Sequence, residues 1–514
     1  MKLKKIATIL LSAILSIGVL TGCSNNSSNS SADKKELVYG TGVYATTGSL
    51  DPAEANYNGW FTLRYGAGET LFKVNDDGTI SPWLVEEYKN TDDTTWELKI
   101  KDGIKFSNGK QVTAKEVKAS LDRILDKEEI SAGKALSVDS IDADGQKLTI
   151  KTSKPNPALP NQLCDPDLVI LDVDSEDMKT KPVGTGPFII ESFNEKRCVV
   201  NKNENYWDGD VKLDKVTIDY ISDNDTLSAS LQSGDIDIAG GLSFTNLQKF
   251  EKDSNYKVDT NSTTRCYMFY YNFKNELLNN KNIRKAIDMC IDKKSYVSSL
   301  LQGSGEVAKG PFPTTMDIGK DVKDNGYDVE EAKKLLKEAG CKDTDNDGIL
   351  EKDGEKLSLK LITYSTKAEL PTFSEALKSQ LAEIGIELNV QIVDNMSDEC
   401  QNGNFDISLW SFTMLPTGDP QYFIDIAFAS NGSSNYGKYS NKQVDSLTKE
   451  LDSEFDTKKR DEIATDIVNK VMDDYGYIAI GHANYTYVMN KKVQNCVANP
   501  SEYYLLDANV DIQE

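Results

Sequence analysis

The chain has 514 residues, of which 39% are hydrophobic and 27% charged, and its formal net charge at pH 7 is −24. This length exceeds what one hydrophobic core usually supports, so we expect at least two lobes. The strong acidity argues against binding to nucleic acid or to an anionic membrane face. The charge predicts solubility and does not select a ligand.

The first residues are typical of an export signal. Lys2, Lys4 and Lys5 precede a mostly apolar run over residues 6–20, which is too short to span a bilayer comfortably. The run has the charged and apolar regions of a secretory signal, and we predict a signal peptide over residues 1–22.

The next residues predict a lipid anchor. Leu20-Thr21-Gly22-Cys23 resembles the lipobox of bacterial lipoproteins, in which cleavage before the cysteine leaves its thiol with a diacylglyceryl group. Cys23 would then be the mature N-terminus, and two acyl chains anchor a protein stably where one does not. The alternative is a plain secretory signal with an incidental cysteine. Residues 23–35 should form a flexible tether, since most of them are small and polar.

The remaining cysteines are far apart and contain no CxxC pair. They are Cys164, Cys198, Cys266, Cys290, Cys341, Cys400 and Cys496. This spacing offers neither a zinc site nor a redox motif. An odd number leaves at least one free thiol, and we expect most to be small buried residues.

Strand and helix signals alternate after the tether. The apolar residues of 96–101 (WELKIK) alternate with charged ones, which predicts a strand with one solvent face. Thr113 and Glu116 have the spacing of a capping box and predict a helix through about Leu125.

The same pattern continues towards the C-terminus. Residues 329–339 predict a helix ended by Gly340, and residues 373–384 predict another ended by Gly385. An alternating strand over 386–390 follows directly. Helices and strands interleaved in this way favour α/β lobes.

Motifs of catalysis and cofactor binding are absent from the sequence. Residues 40–45 (GTGVYA) match a dinucleotide fingerprint, but the turn-rich residues 46–52 cannot open the helix that such a site requires. No phosphate loop, HExxH or G-x-S-x-G occurs. We therefore expect a protein that is not an enzyme and requires no cofactor. A secreted hydrolase that uses His482, the only histidine, as its base is a remote alternative.

One acidic loop resembles half of a calcium site. Asp343, Asp345 and Asp347 stand in the pattern D-x-D-x-D-G, although the twelfth position is Gly354 where a bidentate glutamate is expected. A structural calcium ion is one interpretation. The other is a polar turn before a strand over 356–362.

Several separated segments resemble the extracytoplasmic solute-binding proteins of ABC importers, in the family that captures oligopeptides, dipeptides and nickel. They follow in that family's order over nearly the whole chain: LDP (50–52), ETLF (69–72), PWL (82–84), WELKIKDGIKFSNGKQVTAKEV (96–117), VGTGPF (183–188), NYW (205–207), SGDID (233–237), IRKAI (283–287) and GPF (310–312).

The resemblance implies an α/β protein of the periplasmic-binding-protein type II kind, with two lobes that close on a ligand. Lobe one would comprise residues 36–268, with an extra subdomain inserted at about 80–182, and a C-terminal return over 484–514. Lobe two would comprise 269–483. The crossings near 267–272 and 482–487 would be hinge strands.

The ligand class stays open between peptide and nickel chelate. Peptide-binding relatives carry a segment that resembles W-x-x-D-Y-x-D-P, whose first aspartate pairs with the peptide's amino group. Here Thr413 stands at that position after Trp410, so the peptide interpretation is weakened unless Asp419 or another acid reaches the ligand. The longer loop before Asp419, and the run containing His482, look more like the nickel and metallophore branch.

The resemblance also implies candidate ligand contacts. Tyr44, Trp60 and Trp410 could line the cleft, and Arg64 and Arg265 could bind a ligand carboxylate. We further expect ligand contact from Asp419 and His482. The His482 imidazole would complete the coordination shell of a nickel ion whose other ligands come mostly from a small chelator. Each of these residues also has a structural interpretation, as core or as ion-pair partner.

The expected partners are a small ligand, a cognate ABC permease and the membrane through the lipid anchor, and the expected state is a monomer. The predicted location is the extracytoplasmic face of the cell membrane.

Overall fold

The computed structural model describes residues 34–45 and 47–513. The predicted signal peptide, nearly all of the predicted tether and the lipidation site Cys23 lie outside the described residues. In chain order the strands are β1 (Glu36–Thr41), β2 (Phe72–Val74), β3 (Ile80–Pro82), β4 (Val85–Asp92), β5 (Thr95–Ile100), β6 (Val138–Asp144), β7 (Lys147–Thr152), β8 (Phe188–Phe193), β9 (Arg197–Lys202), β10 (Lys215–Tyr220), β11 (Ile238–Gly240), β12 (Tyr256–Tyr271), β13 (Gly305–Val307), β14 (Glu351–Lys352), β15 (Glu355–Lys356), β16 (Ser358–Thr363), β17 (Glu387–Ile392), β18 (Ile407–Thr413), β19 (Tyr477–Asn490), β20 (Val493–Gln494) and β21 (Asp511–Ile512).

Helices alternate with these strands. The α-helices are α1 (Asn58–Arg64), α2 (Ala114–Leu125), α3 (Ser131–Ala135), α4 (Leu159–Gln162), α5 (Asn224–Ser233), α6 (Phe244–Leu247), α7 (Lys281–Met289), α8 (Lys293–Ser295), α9 (Asp317–Lys320), α10 (Val329–Glu338), α11 (Glu369–Glu383), α12 (Met396–Gln401), α13 (Gln421–Phe423), α14 (Lys442–Leu451) and α15 (Thr457–Asp473). Short 3₁₀ helices cover Pro166–Leu168 and Leu277–Asn279, and π-helical turns cover Tyr296–Leu300 and Ile424–Phe428.

The main sheet runs through the whole molecule in the order β17-β16-β18-β12-β19-β11-β1-β10-β9-β8, and β13 pairs with β19. The long strands β12 and β19 are antiparallel neighbours, and their register shifts between Ser262 and Cys266. Strands β16, β17 and β18 lie on one side of this pair, and β1 and β8–β11 lie on the other. The sheet therefore has two halves joined by two strands.

Each half has its own core. One core packs Tyr39, Phe188 and Ile218 beneath the β1 half. Two further cores cover the opposite faces of the β18 half, one around Phe373 and one around Phe428. A smaller sheet in the order β4-β5-β7-β6 packs with α2 over a separate core, which makes it a subdomain of the β1 half. We call the β1 half with this subdomain lobe one and the β18 half lobe two. The predicted lobe boundaries stay a prediction.

The two lobes touch along their edges. The Asn161 side-chain amide donates to the Thr417 carbonyl at 3.1 Å, and Gln248 donates to Gln302 at 2.8 Å. The rings of Trp96 on β5 and Phe455 lie 6.2 Å apart between centroids. The two lobes are therefore in contact in this structure.

The seven cysteines of the described residues are all buried and unpaired, as expected for small interior residues. Among the residues that the structure describes, no helix is long and apolar enough to cross a membrane.

Candidate functional site

The predicted contact Tyr44 lies inside lobe one, away from solvent. Its hydroxyl donates to the Asn194 carbonyl at 2.7 Å, and its ring stacks on Phe193 and Tyr220 at centroid distances of 5.7 and 5.6 Å. Tyr44 is 4% exposed. This placement favours the structural interpretation, and a ligand role for Tyr44 stays a prediction without a contact to support it.

Arg64 is buried at the end of α1, where aromatic residues surround its guanidinium. Its Nη2 donates to the hydroxyls of Tyr485 at 2.5 Å, Tyr487 at 2.9 Å and Tyr39 at 3.3 Å. Its Nη1 donates to the Glu502 carbonyl. These acceptors bind both terminal nitrogens of Arg64 within lobe one. Arg64 therefore joins segments of lobe one and has no terminal nitrogen free for a ligand carboxylate.

Arg265 lies where the two lobes meet. It is on β12 opposite Thr413, the last residue of β18, and its Nε donates to the Glu502 carboxylate at 3.1 Å. The indole of Trp60 donates to the Glu502 carbonyl at 2.9 Å, which fixes the same residue from lobe one. Glu502 thus orients Arg265, whose two terminal nitrogens make no hydrogen bond with a described residue, and a ligand role for Arg265 stays a prediction.

A second cation faces the same place, although nothing in the sequence indicated it. Burial and the neighbouring Arg265 lower the pKa of Lys367, which precedes α11. Burial raises the pKa of Glu502, but the charges of Arg265 and Lys367 outweigh burial and hold this pKa below its usual value. Tyr267 donates to Glu369 at 2.8 Å beside this group. The cleft edge therefore concentrates paired charges that can recognise a charged ligand.

Trp410 is half-buried on β18, beside a cavity of lobe two. Its ring lies 6.0 Å from Tyr364 and 6.3 Å from Tyr436, nearly parallel to the latter. The cavity has a volume of about 130 Å³. Its lining is mostly aromatic and small: Tyr270, Ser397, Ser408, Trp410, Phe412, Phe423, Ile426, Ala427, Ser434, Tyr436 and Gly437. Trp410 thus forms part of the wall of a cavity within lobe two, and its contact with a ligand in the cleft stays a prediction.

Asp419 is engaged in a buried ion pair. Its two oxygens accept from Arg460 Nη2 at 2.8 Å each, and the Gln421 backbone N–H donates to it at 2.8 Å. Asp419 is 7% exposed. Removing this carboxylate would leave the buried Arg460 without a charged partner, which favours the structural interpretation of Asp419, and its ligand contact stays a prediction.

His482 is fully buried on β19 between Cys266 of β12 and Glu306 of β13. Its ring lies against the backbone of Gly310 and Phe312, yet neither ring nitrogen makes a hydrogen bond of good geometry with a described residue. Burial lowers its pKa to about 4, so the ring is neutral at pH 7. The placement favours a structural imidazole, and nickel ligation by His482 stays a prediction.

The acidic loop brings four carboxylates together. Oxygens of Asp343, Asp345, Asp347 and Glu351 lie within 4.8 Å of one another. Glu351, at the ninth position, is the fourth acid of this group, whereas the twelfth position is Gly354. The Lys356 ammonium reaches Asp345 at 3.0 Å and also contacts Asp347, so a side-chain cation neutralises part of the loop. Calcium binding here stays a prediction.

Comparison with known proteins gives matches along the whole chain. A family model described as bacterial extracellular solute-binding proteins, family 5 Middle, matches residues 79–435. The nickel-binding protein NikA of Staphylococcus aureus is 33% identical over 516 residues, which cover 100% of both proteins. The oligopeptide-binding protein AppA of Bacillus subtilis is 29% identical, and the match covers 97% of both.

Solved structures agree with these relatives. The crystal structure of Staphylococcus aureus NikA in complex with Ni(L-His)2 has a TM-score of 0.77 and 31% sequence identity, and the match covers 93% of this chain and 100% of that one. The predicted two-lobed α/β fold is therefore confirmed.

Proposed function

Because the chain belongs to the bacterial extracellular solute-binding proteins of family 5, we propose that it captures a nickel chelate outside the cell and delivers it to an ABC permease. The relatives that the chain matches are named binding proteins, and two lobes that close on a ligand need no covalent chemistry.

One observation carries the preference for a chelate over a peptide. At the end of β18 the residue opposite Arg265 is Thr413, which has no carboxylate for a peptide amino group. The nearest acid in sequence, Asp419, is bound by Arg460. The free guanidinium nitrogens of Arg265 instead suit a carboxylate, which amino-acid chelates of nickel carry.

Isothermal titration calorimetry tests this function directly. We expect the mature protein to bind nickel with two equivalents of L-histidine far more tightly than nickel alone, because the protein offers too few ligands to complete a nickel shell. Absence of heat with nickel alone, with the histidine chelate and with small peptides would refute the proposal.

A peptide receptor is the second candidate, since the relative AppA of Bacillus subtilis is named an oligopeptide-binding protein. Native mass spectrometry of protein purified from its host separates the two candidates. A carried nickel complex supports the first, and a mixture of peptide masses supports the second.

Attachment through Cys23 belongs to the same proposal, because a receptor that serves a permease must stay near the membrane. We expect Cys23→Ala to release the protein from the membrane fraction into the medium. If the wild-type protein and Cys23→Ala stay in the membrane fraction to the same extent, lipidation at Cys23 is contradicted.

A further inference from the structure

The loop between β18 and α13 belongs to lobe two and touches lobe one at its tip. It is longer than in the pattern W-x-x-D-Y-x-D-P. The Thr417 carbonyl accepts from the side-chain amide of Asn161, in α4 of lobe one, at 3.1 Å, and Thr417 is only 6% exposed. The next residue, Gly418, lies against the turn between β2 and β3 of lobe one. The extra length of this loop therefore reaches the other lobe.

Gly418 and Gly78 meet with no room for a side chain between them. A Cβ atom at Gly418 would lie closer than 3.0 Å to the Gly78 carbonyl oxygen, which is nearer than real Cβ contacts come. Gly418 also has a φ of 74°, in the left-handed region that glycine adopts readily. On the other side, a Cβ atom at Gly78 would lie 3.2 Å from Cε and 3.3 Å from Sδ of Met316 in lobe two. The backbones of the two lobes therefore touch directly at this point.

The loop of lobe two is fixed at both ends. At its start the Met414 backbone N–H donates to the Thr264 carbonyl of β12 at 2.9 Å. Leu415 is buried in a core of lobe two. At its end Asp419 is bound by Arg460 of α15. The tip at Gly418 therefore cannot withdraw from lobe one without a movement of lobe two.

The turn of lobe one is held in place as well. The Asn75 backbone N–H donates to the Thr79 carbonyl at 2.8 Å, and the Thr79 hydroxyl donates to the Asp77 carboxylate at 2.6 Å. Phe72 and Val74 of β2 pack into the core of the inserted subdomain. Because both sides of the contact are fixed, a side chain at position 418 would push the two lobes apart.

We propose that residues 414–418 form a latch loop, which docks lobe two on lobe one through the contact between Gly418 and Gly78. The latch loop sets how fully the lobes come together, so it affects ligand capture without touching the ligand. The role goes beyond the proposed function, because it is the same for a nickel chelate and for a peptide. It also gives the longer loop before Asp419 a use that does not depend on the ligand.

The test compares Gly418→Ala with Gly403→Ala. Gly403 follows α12 in lobe two and has a φ of 71°, so alanine meets the same backbone strain there. No atom of a described residue would lie within 4 Å of the added Cβ at Gly403. Both variants should therefore lose a similar amount of stability in urea denaturation. A third variant, Asn161→Ala, removes the donor to Thr417 and leaves both glycines in place.

Small-angle scattering measures how closely the lobes dock, both without ligand and with nickel and L-histidine. Gly418→Ala should have a larger radius of gyration than the wild-type protein in at least one of these conditions, whereas Gly403→Ala should match the wild type. Asn161→Ala should be intermediate, since it loses one hydrogen bond and gains no clash. Equal radii of Gly418→Ala and the wild type in both conditions overturn the latch.

Calorimetry with the same chelate separates the latch from the receptor function. Affinity in Gly418→Ala should fall about tenfold relative to Gly403→Ala, because the docked form is about tenfold less populated. Equal affinity in the two variants overturns the effect of the latch loop on ligand capture. Failure of the wild-type protein to bind the chelate counts against the receptor function alone, and scattering without ligand then supports or overturns the latch.

Discussion

At the residue scale, two arginines of the same predicted role have different environments. The Arg64 guanidinium is held by three tyrosine hydroxyls and a carbonyl within lobe one. Arg265 is oriented by one carboxylate and keeps its terminal nitrogens free. The residue type indicates a planar donor in both cases, and only the neighbours decide which donor is available to a ligand.

This difference predicts opposite effects of the same substitution. Arg64→Gln should lower the free energy of unfolding by about 3 kcal/mol, because buried hydroxyls and a carbonyl lose their partner. Arg265→Gln should lower stability less, because Lys367 still neutralises Glu502, and should weaken ligand binding by about tenfold or more. Urea denaturation and calorimetry on both variants check the prediction. Equal effects of the two variants on both quantities would contradict it.

His482 predicts a pH dependence of stability. Its folded pKa of about 4 lies below the ordinary histidine pKa of 6.5, so between these pH values the unfolded chain binds a proton that the folded chain does not. Stability should therefore fall as the pH decreases from 6.5 towards 4, by about 3 kcal/mol from this residue.

Replacing His482 by leucine should remove that part of the pH dependence. Denaturation of both proteins at pH 7 and pH 4.5 measures it as a difference, which cancels the shared contribution of other groups. The same pH slope in both proteins would show that His482 is accessible to protons in the folded state. Nickel-chelate binding by the variant at pH 7 then tests ligation separately, since a purely structural imidazole predicts no loss.

At the scale of elements, local sequence signals such as caps predicted the ends of several helices. The predicted capping box is present at α2, where Glu116 accepts the Thr113 backbone N–H at 3.1 Å and the Thr113 hydroxyl accepts from the Lys115 N–H at 3.3 Å. The helix predicted over 329–339 is α10, and Gly340 follows it in a left-handed conformation (φ 87°).

One helix begins earlier than the pattern indicated. We predicted a start at residue 373, whereas α11 begins at Glu369 and includes Pro371 in its first turn. Proline is tolerated there because the first backbone N–H groups of a helix have no partner within it. Proline was therefore not a stop signal at this position.

The capping box predicts a measurable share of stability. Thr113→Ala should lower the free energy of unfolding by about 1 kcal/mol, because a backbone N–H at the start of α2 loses its acceptor. Glu116→Ala should cost a similar amount, and the double variant should cost less than the sum, because the two side chains form one unit. Chemical denaturation of the three variants measures this cycle, and strict additivity would contradict a reciprocal box.

At the scale of the whole molecule, the site exists only when both lobes meet. Arg265 and Trp410 lie on strands of the shared sheet, while Glu502 comes from a segment far away in the sequence. Ligand contact with both lobes favours the closed form, so contacts between lobes that never touch the ligand should also affect affinity.

The contact between Trp96 and Phe455 tests this coupling, since it joins the inserted subdomain to lobe two. Phe455→Ser should reduce affinity several-fold, because the closed form is less populated. Tyr327→Ser, which alters an exposed aromatic residue of lobe two, is the control and should bind normally. Calorimetry measures affinity and small-angle scattering measures closure. Normal affinity in Phe455→Ser would show that this contact between the lobes does not affect ligand binding.

The sequence by itself determined the family, the alternation of helices and strands, and the candidate anchor at Cys23. These features depend on local patterns such as the capping box at Thr113 and the alternation in 96–101, which neighbours in the chain create. The sequence also predicted one role for Arg265 and Arg64 alike, and it could not separate the two arginines.

Only the tertiary structure decided which polar groups are free. Asp419 looked available in sequence, yet Arg460 of α15 binds it. Lys367 carried no signal in sequence, yet folding brings it near Arg265 and Glu502. The physical reason is that a hydrogen-bond partner is usually distant in the chain, and a charged group can recognise a ligand only where the fold leaves it unpaired.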